Sequence, residues 1–307
     1  MNIDVVLVTF NRLDKLKKAF HCFLKQTHPF RNLIIVNNNS TDGTDWYLQE
    51  LKEKKELPFN LHIINLPENT GGSGGFNAGE EYAMKLNPDW IYVQDDDAYP
   101  EPQLIEKFES FITTHSTDKI AAICTSVISS DDMAPDIEHR ADFGFKFGFI
   151  PTRKPHQLSD YAQSSFEINL LSYVGSFINA RAIEEVGPMR GDFFIYWDDG
   201  EHSLRLSNYG KIICVPSIHV IHESKSPGND SDGVFSWRRY YNARNFLYTL
   251  LCINKAATIY MCCRYIGSSI KTHNFTYTEL VFKAIRNALK GNLGKHPVYR
   301  PGYIVKK

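Results

Sequence analysis

Asp95, Asp96 and Asp97 stand side by side in QDDDAYP, directly after the apolar run DWIYVQ. Adjacent carboxylates repel one another by about 1 kcal/mol per pair at 4 Å in water, and by about 4 kcal/mol at an effective dielectric of 20. Three of them at the end of a buried strand therefore require positive charge. A hard divalent cation, Mg2+ or Mn2+, held through one or two carboxylates and completed by the phosphate oxygens of a substrate, meets that requirement. A solvated acidic loop is the alternative, and the apolar run immediately before the triplet disfavours it.

A second group of acids lies in GDFFIYWDDGEHSLRL, residues 191–206. FFIYW reads as a strand, and Asp198 or Asp199 opens a short helix that stops at Gly210 before the strand KIICV. Asp198 with Glu201 three residues on also fits a capping box, worth about 1 kcal/mol to a helix. That role leaves Asp199 unused, and a carboxylate at a helix start is well placed to take a proton from a hydroxyl as general base. His222 is a candidate third ligand for a metal at the acid triplet; the competing reading is a hydrogen-bonded core histidine.

The third feature is ENTGGSGGFNAGEEYA, residues 68–83, glycine-rich and followed by a helical pattern. It is neither of the two common phosphate loops. After Gly72, Ser73 and Gly74 a dinucleotide fingerprint needs glycine at 77, where Asn77 stands, and no lysine occupies the P-loop position. Exposed amides at a helix start still favour anions. The alternative is a turn whose glycines let a helix begin close to a sheet.

These residues need a scaffold, and the first hundred residues supply its rhythm. The apolar runs 3–10, 32–38, 60–66 and 89–94 read as strands, with RLDKLKKAFHCFLKQ and TDWYLQELKEKKE between them as helices bearing one apolar stripe. Alternating strands and helices predict an α/β fold with a mostly parallel sheet covered on both faces, and ligands at the carboxyl ends of the strands. The 307 residues, 43% of them hydrophobic, are enough for one large domain or two lobes.

The net charge of −1 conceals an asymmetry: residues 238–307 hold 13 Lys plus Arg against one acid, Glu279. In this stretch Leu280, Val281, Ala284, Ile285, Ala288 and Leu289 recur at helical spacing, opposite Lys283, Arg286 and Lys290. A basic amphipathic helix of this kind, in so basic a region, points to an anionic membrane surface, each basic residue near such a surface contributing roughly 1 kcal/mol. No nucleic-acid module accompanies the charge, so nucleic acid is not the expected partner. The six cysteines lack metal or disulfide spacing, and neither a signal peptide nor an unbroken spanning run of about 18 apolar residues is evident. A cytoplasmic setting, peripheral at the inner face of the membrane, is expected.

In order, VTFNR, VNNNSTDGT, NTGGSGGFNAG, DDD, EEVGPMRGDFFIYWDDGEHSLRL and VIHESKS resemble family 2 glycosyltransferases of the GT-A fold over about residues 3–250. More narrowly, NTGGSGGF with WDDxE is similar to the bacterial galactofuranosyltransferase branch. The resemblance implies an inverting, metal-dependent transferase using a UDP-sugar, here UDP-galactofuranose, with a lipid-linked polysaccharide acceptor. It implies a nucleotide-sugar-binding half over residues 1–110, an acceptor-binding and catalytic half over 111–237, and a basic helical region over 238–307.

Carried onto matching positions, Thr9, Asn11 and Asn37 line the nucleotide pocket; many relatives have Asp at the place of Asn37, so an amide replaces a charged contact to uracil. Gly72, Ser73, Gly74, Gly75 and Phe76 bring backbone to the diphosphate and sugar. Asp95 and Asp96 contact the donor, Asp96, Asp97 and His222 hold Mn2+ or Mg2+, and His222 fits the family spacing better than His219. Asp199 matches the catalytic base, with Trp197, Asp198 and Glu201 around the acceptor. Arg244, with Asn245 in YYNARNF, matches a pair facing the pyrophosphate. Two alternatives stay open: a rhamnosyltransferase using dTDP-rhamnose, and a non-catalytic sugar-binding scaffold of the same fold.

Overall fold

The computed structural model describes residues 1–54, 56–115, 119–223 and 236–303. The four apolar runs form strands β1 (Ile3–Thr9), β2 (Asn32–Asn37), β3 (Asn60–Asn65) and β4 (Trp90–Asp95). Between them run helices α1 (Leu13–Leu24), α2 (Thr44–Lys52) and α3 (Gly71–Met84). Alternate residues of one strand enter different cores, which is why the middle stretches of β1, β2 and β4 are uninterruptedly apolar. Val5 and Leu7 of β1 join Leu33 and Ile35 of β2 against α1 and α2, whereas Val6 and Val8 join Ile34 and Val36 against Phe76 and Ala83 of α3.

The chain continues through β5 (Ala98–Pro100), α4 (Leu104–Thr114), β6 (Ile120–Ser129) and the hairpin β7 (Arg140–Lys146) with β8 (Ile150–Pro155). Short strands β9 (Phe166–Ile168), β10 (Leu170–Leu171) and β11 (Ser176–Asn179) follow, then α5 (Ala180–Val186), α6 (Asp198–Tyr209) and β12 (Lys211–His222). Among the described residues nine strands make the main sheet, in the order β3-β2-β1-β4-β11-β6-β12-β5, with β9 also on β12. β3, β2, β1 and β4 are parallel, β11 is inserted antiparallel, and β6 and β12 are parallel to each other.

Register fixes the site. Thr9 lies opposite Asn37, Asn37 opposite Asn65, and Val8 opposite Asp95, so these carboxyl ends are level. On the far side of the sheet β12 pairs His222 with Ala98, the residue after the acid triplet. A histidine 125 positions downstream of Asp97 is thereby delivered to it by a strand pairing rather than by a loop.

Three sequence expectations are corrected. The stretch 71–76 is the start of α3 and not a loop: its glycines let the helix lie on β1, where a Cβ on Gly75 would come within 2.6 Å of Val8. FFIYW is not a strand, but a short 3-10 turn (Gly191–Phe193) followed by irregular backbone. Leu289 leaves the apolar stripe of its helix and is 51% exposed. Gly79, one turn along α3, tests the packing role: a Cβ there would fall well inside contact distance of Val6. Gly79→Ala should cost about 1–3 kcal/mol through overpacking and lower the melting temperature by several degrees; an unchanged melting curve would mean that close approach to β1 is not what the glycine provides.

The C-terminal region forms α7 (Arg238–Ile253), α8 (Lys255–Lys271) and α9 (Phe275–Lys290). Asn254 and Asn274 cap α8 and α9, accepting from the N–H of Ala257 and of Tyr277. Tyr240, Tyr241, Leu247 and Leu250 of α7 build a third core with Leu280, Ala284 and Ala288 of α9, and with Phe143 of β7 and Phe194. Lys306 and Lys307 of the basic stretch, and residues 224–226 of VIHESKS, lie outside the described residues.

Candidate active site

Asp95 ends β4, and Asp96 and Asp97 form the turn into β5, only 2% and 6% exposed. Thr9 Oγ1 donates to Asp96 Oδ2 at 2.7 Å, and Arg12 Nη1 donates to Asp96 Oδ1 at 3.2 Å and to Asp97 Oδ2 at 2.7 Å. Lys15 Nζ lies 3.3 Å from Asp97 Oδ2. Part of the positive charge that the triplet requires is thus supplied by the protein itself, from VTFNR and the first turn of α1. Burial and the neighbouring charges of Asp97 and Asp96 push Asp95 well above the usual carboxylate range, and burial raises Asp96. Asp97 goes the other way: its burial is outweighed by His222, Arg12 and Lys15, which hold it well below that range.

The donor set fits a hard cation through two protein ligands. Asp97 Oδ1 and His222 Nε2 converge at 3.4 Å, and His222 Nδ1 has no hydrogen-bond partner among the described residues. Among those residues no group of three or more His, Cys, Asp and Glu is arranged as a complete metal site, and substrate oxygens or water would have to add to Asp97 and His222. Asp96, also expected at the metal, is held by Thr9 at Oδ2 and by Arg12 at Oδ1 and does not meet His222. His219 is not part of this site; it pairs with Glu101 at 3.2 Å.

Thr9, Asn11 and Asn37 gather at the same end of the sheet, but not as equals. Asn11, at φ 52, accepts from the N–H of Thr41 at 2.7 Å and stays exposed. Asn37 is 1% exposed, with its amide spent on Asn65 and Asp45 and its Oδ1 accepting from Ser40 N–H. It braces the 40–45 loop instead of presenting an amide to a base. Asn38, absent from the expected set, accepts from Thr70 N–H at 2.9 Å and donates to Gly71 O at 2.8 Å, fixing the start of α3. Of the glycine-rich residues, Ser73, Gly75 and Phe76 are buried, and Ser73 Oγ donates to Gly191 O, which ties α3 to the segment before α6. Gly72 and Gly74 remain partly open.

Asp198 and Asp199 open α6, each half-buried. The charge of Asp198 makes a minor contribution to the rise of Asp95, behind burial and the charges of Asp97 and Asp96. Desolvation lifts both Asp198 and Asp199 above the usual range, and the charge of Asp199 adds to the rise at Asp198. Gly200 N–H donates to Asp199 Oδ1 at 2.7 Å, leaving Oδ2 to accept a proton. The capping box does not form: Trp197 is the N-cap, without a side-chain bond to the helix, and Glu201 pairs with Arg205, which also donates to the carbonyls of Val186, Gly187 and Pro188. Glu201 therefore holds the 186–188 turn and is not open to an acceptor. Trp197 stacks on Phe246, with centroids 4.4 Å apart, so at most one indole face is available.

The backbone before Asp198 is strained. Phe194, Tyr196 and Trp197 have φ of 68, 67 and 64, each a left-handed conformation that costs a bulky residue about 1–3 kcal/mol. Arg244 and Asn245 of α7 face this turn and not a diphosphate. Arg244 is 1% exposed, and its guanidinium donates to Phe193 O at 2.9 Å, Gly294 O at 2.6 Å and Asn245 Oδ1 at 2.8 Å. Its expected donor contact is corrected on that ground. YYNARNF does carry these residues, but nothing in the sequence says what they touch.

The family pattern described as Glycosyl transferase family 2 matches residues 4–175. Galactofuranosyltransferase GlfT1 of Mycolicibacterium smegmatis is 26% identical over 68% of this chain and 66% of its own length. dTDP-rhamnosyl transferase RfbF of Shigella flexneri is 25% identical over 80% of this chain and 78% of its own. Among solved structures, GalNAc-T7 with UDP, GalNAc and Mn2+ superposes with a TM-score of 0.65 at 13% identity, covering 94% of this chain and 56% of that one. S. aureus TarS in complex with UDP gives 0.57 at 13% identity over 85% and 69%. The family pattern spans more than half of the sequence and the GT-A architecture is shared with these structures, so the chain belongs to glycosyl transferase family 2.

Proposed function

We propose that this protein is an inverting, metal-dependent glycosyltransferase that moves galactofuranose from UDP-galactofuranose to a hydroxyl of a lipid-linked polysaccharide acceptor. The observation that carries the reading is the division of labour between two neighbouring acid groups: Asp97 is held ionised beside His222, while Asp199 is raised toward a working base. Asp199 Oδ2 takes the proton of the attacking hydroxyl as that oxygen approaches the sugar from the face opposite the diphosphate. One displacement inverts the anomeric centre, and no enzyme nucleophile is needed. Asp97 and His222 would hold Mn2+ or Mg2+, which would supply positive charge where the departing diphosphate becomes more negative. Thr9 and Arg12 keep Asp96 fixed at the floor of the donor site.

Similarity to RfbF at nearly the same identity as to GlfT1 favours a second reading, rhamnosyl transfer from dTDP-rhamnose. Incubating the protein and Mn2+ separately with UDP-galactofuranose and dTDP-rhamnose, over a panel of synthetic saccharide acceptors read by mass, decides between them. Galactofuranosyl product is expected. Rhamnosyl product alone would replace the donor, and no product from either would overturn both.

The acceptor is proposed to lie at an anionic membrane surface, cytoplasmic side, with residues 238–307 as the peripheral attachment. Phe275, Phe282 and Leu289 are 84%, 49% and 51% exposed at seven-residue spacing on α9, with exposed Lys283, Arg286 and Lys290 beside them. Among the described residues no helix is long and apolar enough to cross a membrane. Cosedimentation with vesicles containing phosphatidylglycerol should show binding that weakens as salt rises. Equal binding to neutral vesicles, or none to either, would reject the attachment.

A further inference from the structure

The strained turn before α6 is held from behind by a single side-chain amide. Asn245 Nδ2 lies 3.0 Å from Phe193 O, 2.9 Å from Ile195 O and 2.8 Å from Tyr196 O. These carbonyls belong to the segment that contains Phe194 and Tyr196 and leads through Trp197 into Asp198 and Asp199. Asn245 is fully buried. Which end of the amide faces the turn is decided by Arg244, whose Nε–H must find an acceptor and meets Asn245 Oδ1 at 2.8 Å. Arg244 adds its own bond to Phe193 O at 2.9 Å, and its guanidinium sits 4.9 Å from the centre of the Tyr241 ring.

We propose that Asn245 is a positioning residue for Asp199. Its amide gathers three carbonyls that would otherwise point apart in an unfavourable backbone conformation, and so sets where α6 begins and where the first carboxylates of that helix stand. Arg244 is the orienting partner that keeps the donor end of the amide toward the turn. Both residues are buried. Both act through the backbone of 193–196, and their location on α7 makes the C-terminal helices a support of the catalytic turn. A base displaced by about 1 Å loses on the order of 10²-fold in rate.

Asn245→Asp separates positioning from packing, because it keeps the size and the acceptor for Arg244 while replacing the donor by an oxygen that the three carbonyls repel. The proposal rests on the transferase reading for its kinetic arm, but its second arm, hydrogen–deuterium exchange of amides 193–199, does not. The expected result is faster exchange in that segment, a fall in acceptor-dependent kcat of about 10²-fold, and UDP affinity within about twofold of wild type. Leu250→Ala, in the same core, is the packing control: it should lower the melting temperature without the selective exchange or the loss of kcat. Arg244→Lys, which keeps charge but loses the Nε–H, should give a smaller version of the Asn245→Asp pattern, and serves if that variant fails to fold. Unchanged exchange at 193–199, or kcat and UDP affinity falling together, would overturn the positioning role. Faster exchange in a protein that, as wild type, transfers no sugar would leave the support of the turn standing and remove the transferase reading instead.

Discussion

Asp199→Asn should reduce turnover by about 10²–10⁴-fold, the span of a general base in proton transfer, with UDP binding retained. The two side chains are nearly the same size, and the Gly200 N–H can still donate to the amide oxygen, so the start of α6 should survive the change. What is lost is the basic oxygen at Oδ2. The same site predicts the pH profile. Desolvation raises Asp198 and Asp199 above the ordinary carboxylate range, and the protonated form of Asp199 cannot accept a proton. Activity should therefore fall as pH is lowered through an apparent pKa above that of a free aspartate, about 3.9, and the limb belongs to the pair, not to one residue. Initial rates across pH with saturating donor measure it. Near-normal turnover of the Asn variant, or an acid limb that persists in it unchanged, would remove Asp199 from the role of base.

Asp97→Asn is expected to weaken Mn2+ binding in the presence of UDP at least tenfold and to lower turnover by roughly 10²–10³-fold, the scale on which positioned charge stabilises a developing anion. Asp97 is the carboxylate that meets His222, and His222, Arg12 and Lys15 keep it ionised despite its burial. Calorimetric titration of Mn2+ into protein with UDP reads the affinity directly. His222→Asn should reproduce the loss, because it removes the other converging ligand while leaving both basic partners of Asp97 in place. Arg12→Ala is the discriminating control: if Asp97 mattered only as the ion-pair partner of Arg12, this variant would match Asp97→Asn in both readouts. Activity that survives a chelator would exclude the metal altogether.

How much of this was legible follows from how local each signal is. The strands β1 to β4 and helices α1 and α2 could be read because hydrophobic periodicity is written along the segment itself, and Asp95 to Asp97 because their mutual repulsion is a property of neighbours in sequence. The position of Asp198 and Asp199 at a helix start was legible for a similar reason, since α6 opens on them and ends before Gly210. The misreadings share a different origin. FFIYW has strand composition, but its backbone is drawn into left-handed turns by carbonyl contacts with Asn245. GGSGGF has loop composition, yet it is helical because Gly75 and Gly79 allow α3 onto Val8 and Val6. In both cases a partner far along the chain overrode local propensity.

Arg244 illustrates the same limit for function. The resemblance placed this arginine beside the diphosphate, but burial and three committed hydrogen-bond contacts turn it inward. The sequence alone determined the α/β class and singled out the carboxyl ends of the strands and the two acid groups as the place to look, since residue type and spacing carry charge and periodicity. Only the tertiary structure decided which of those acids meet. The pairing of β12 with β5 sets His222 on Asp97, and the docking of α7 behind residues 193–196 sets the start of α6. Hydrogen-bond partners and desolvation are fixed by contacts between distant segments, and no run of neighbouring residues encodes them.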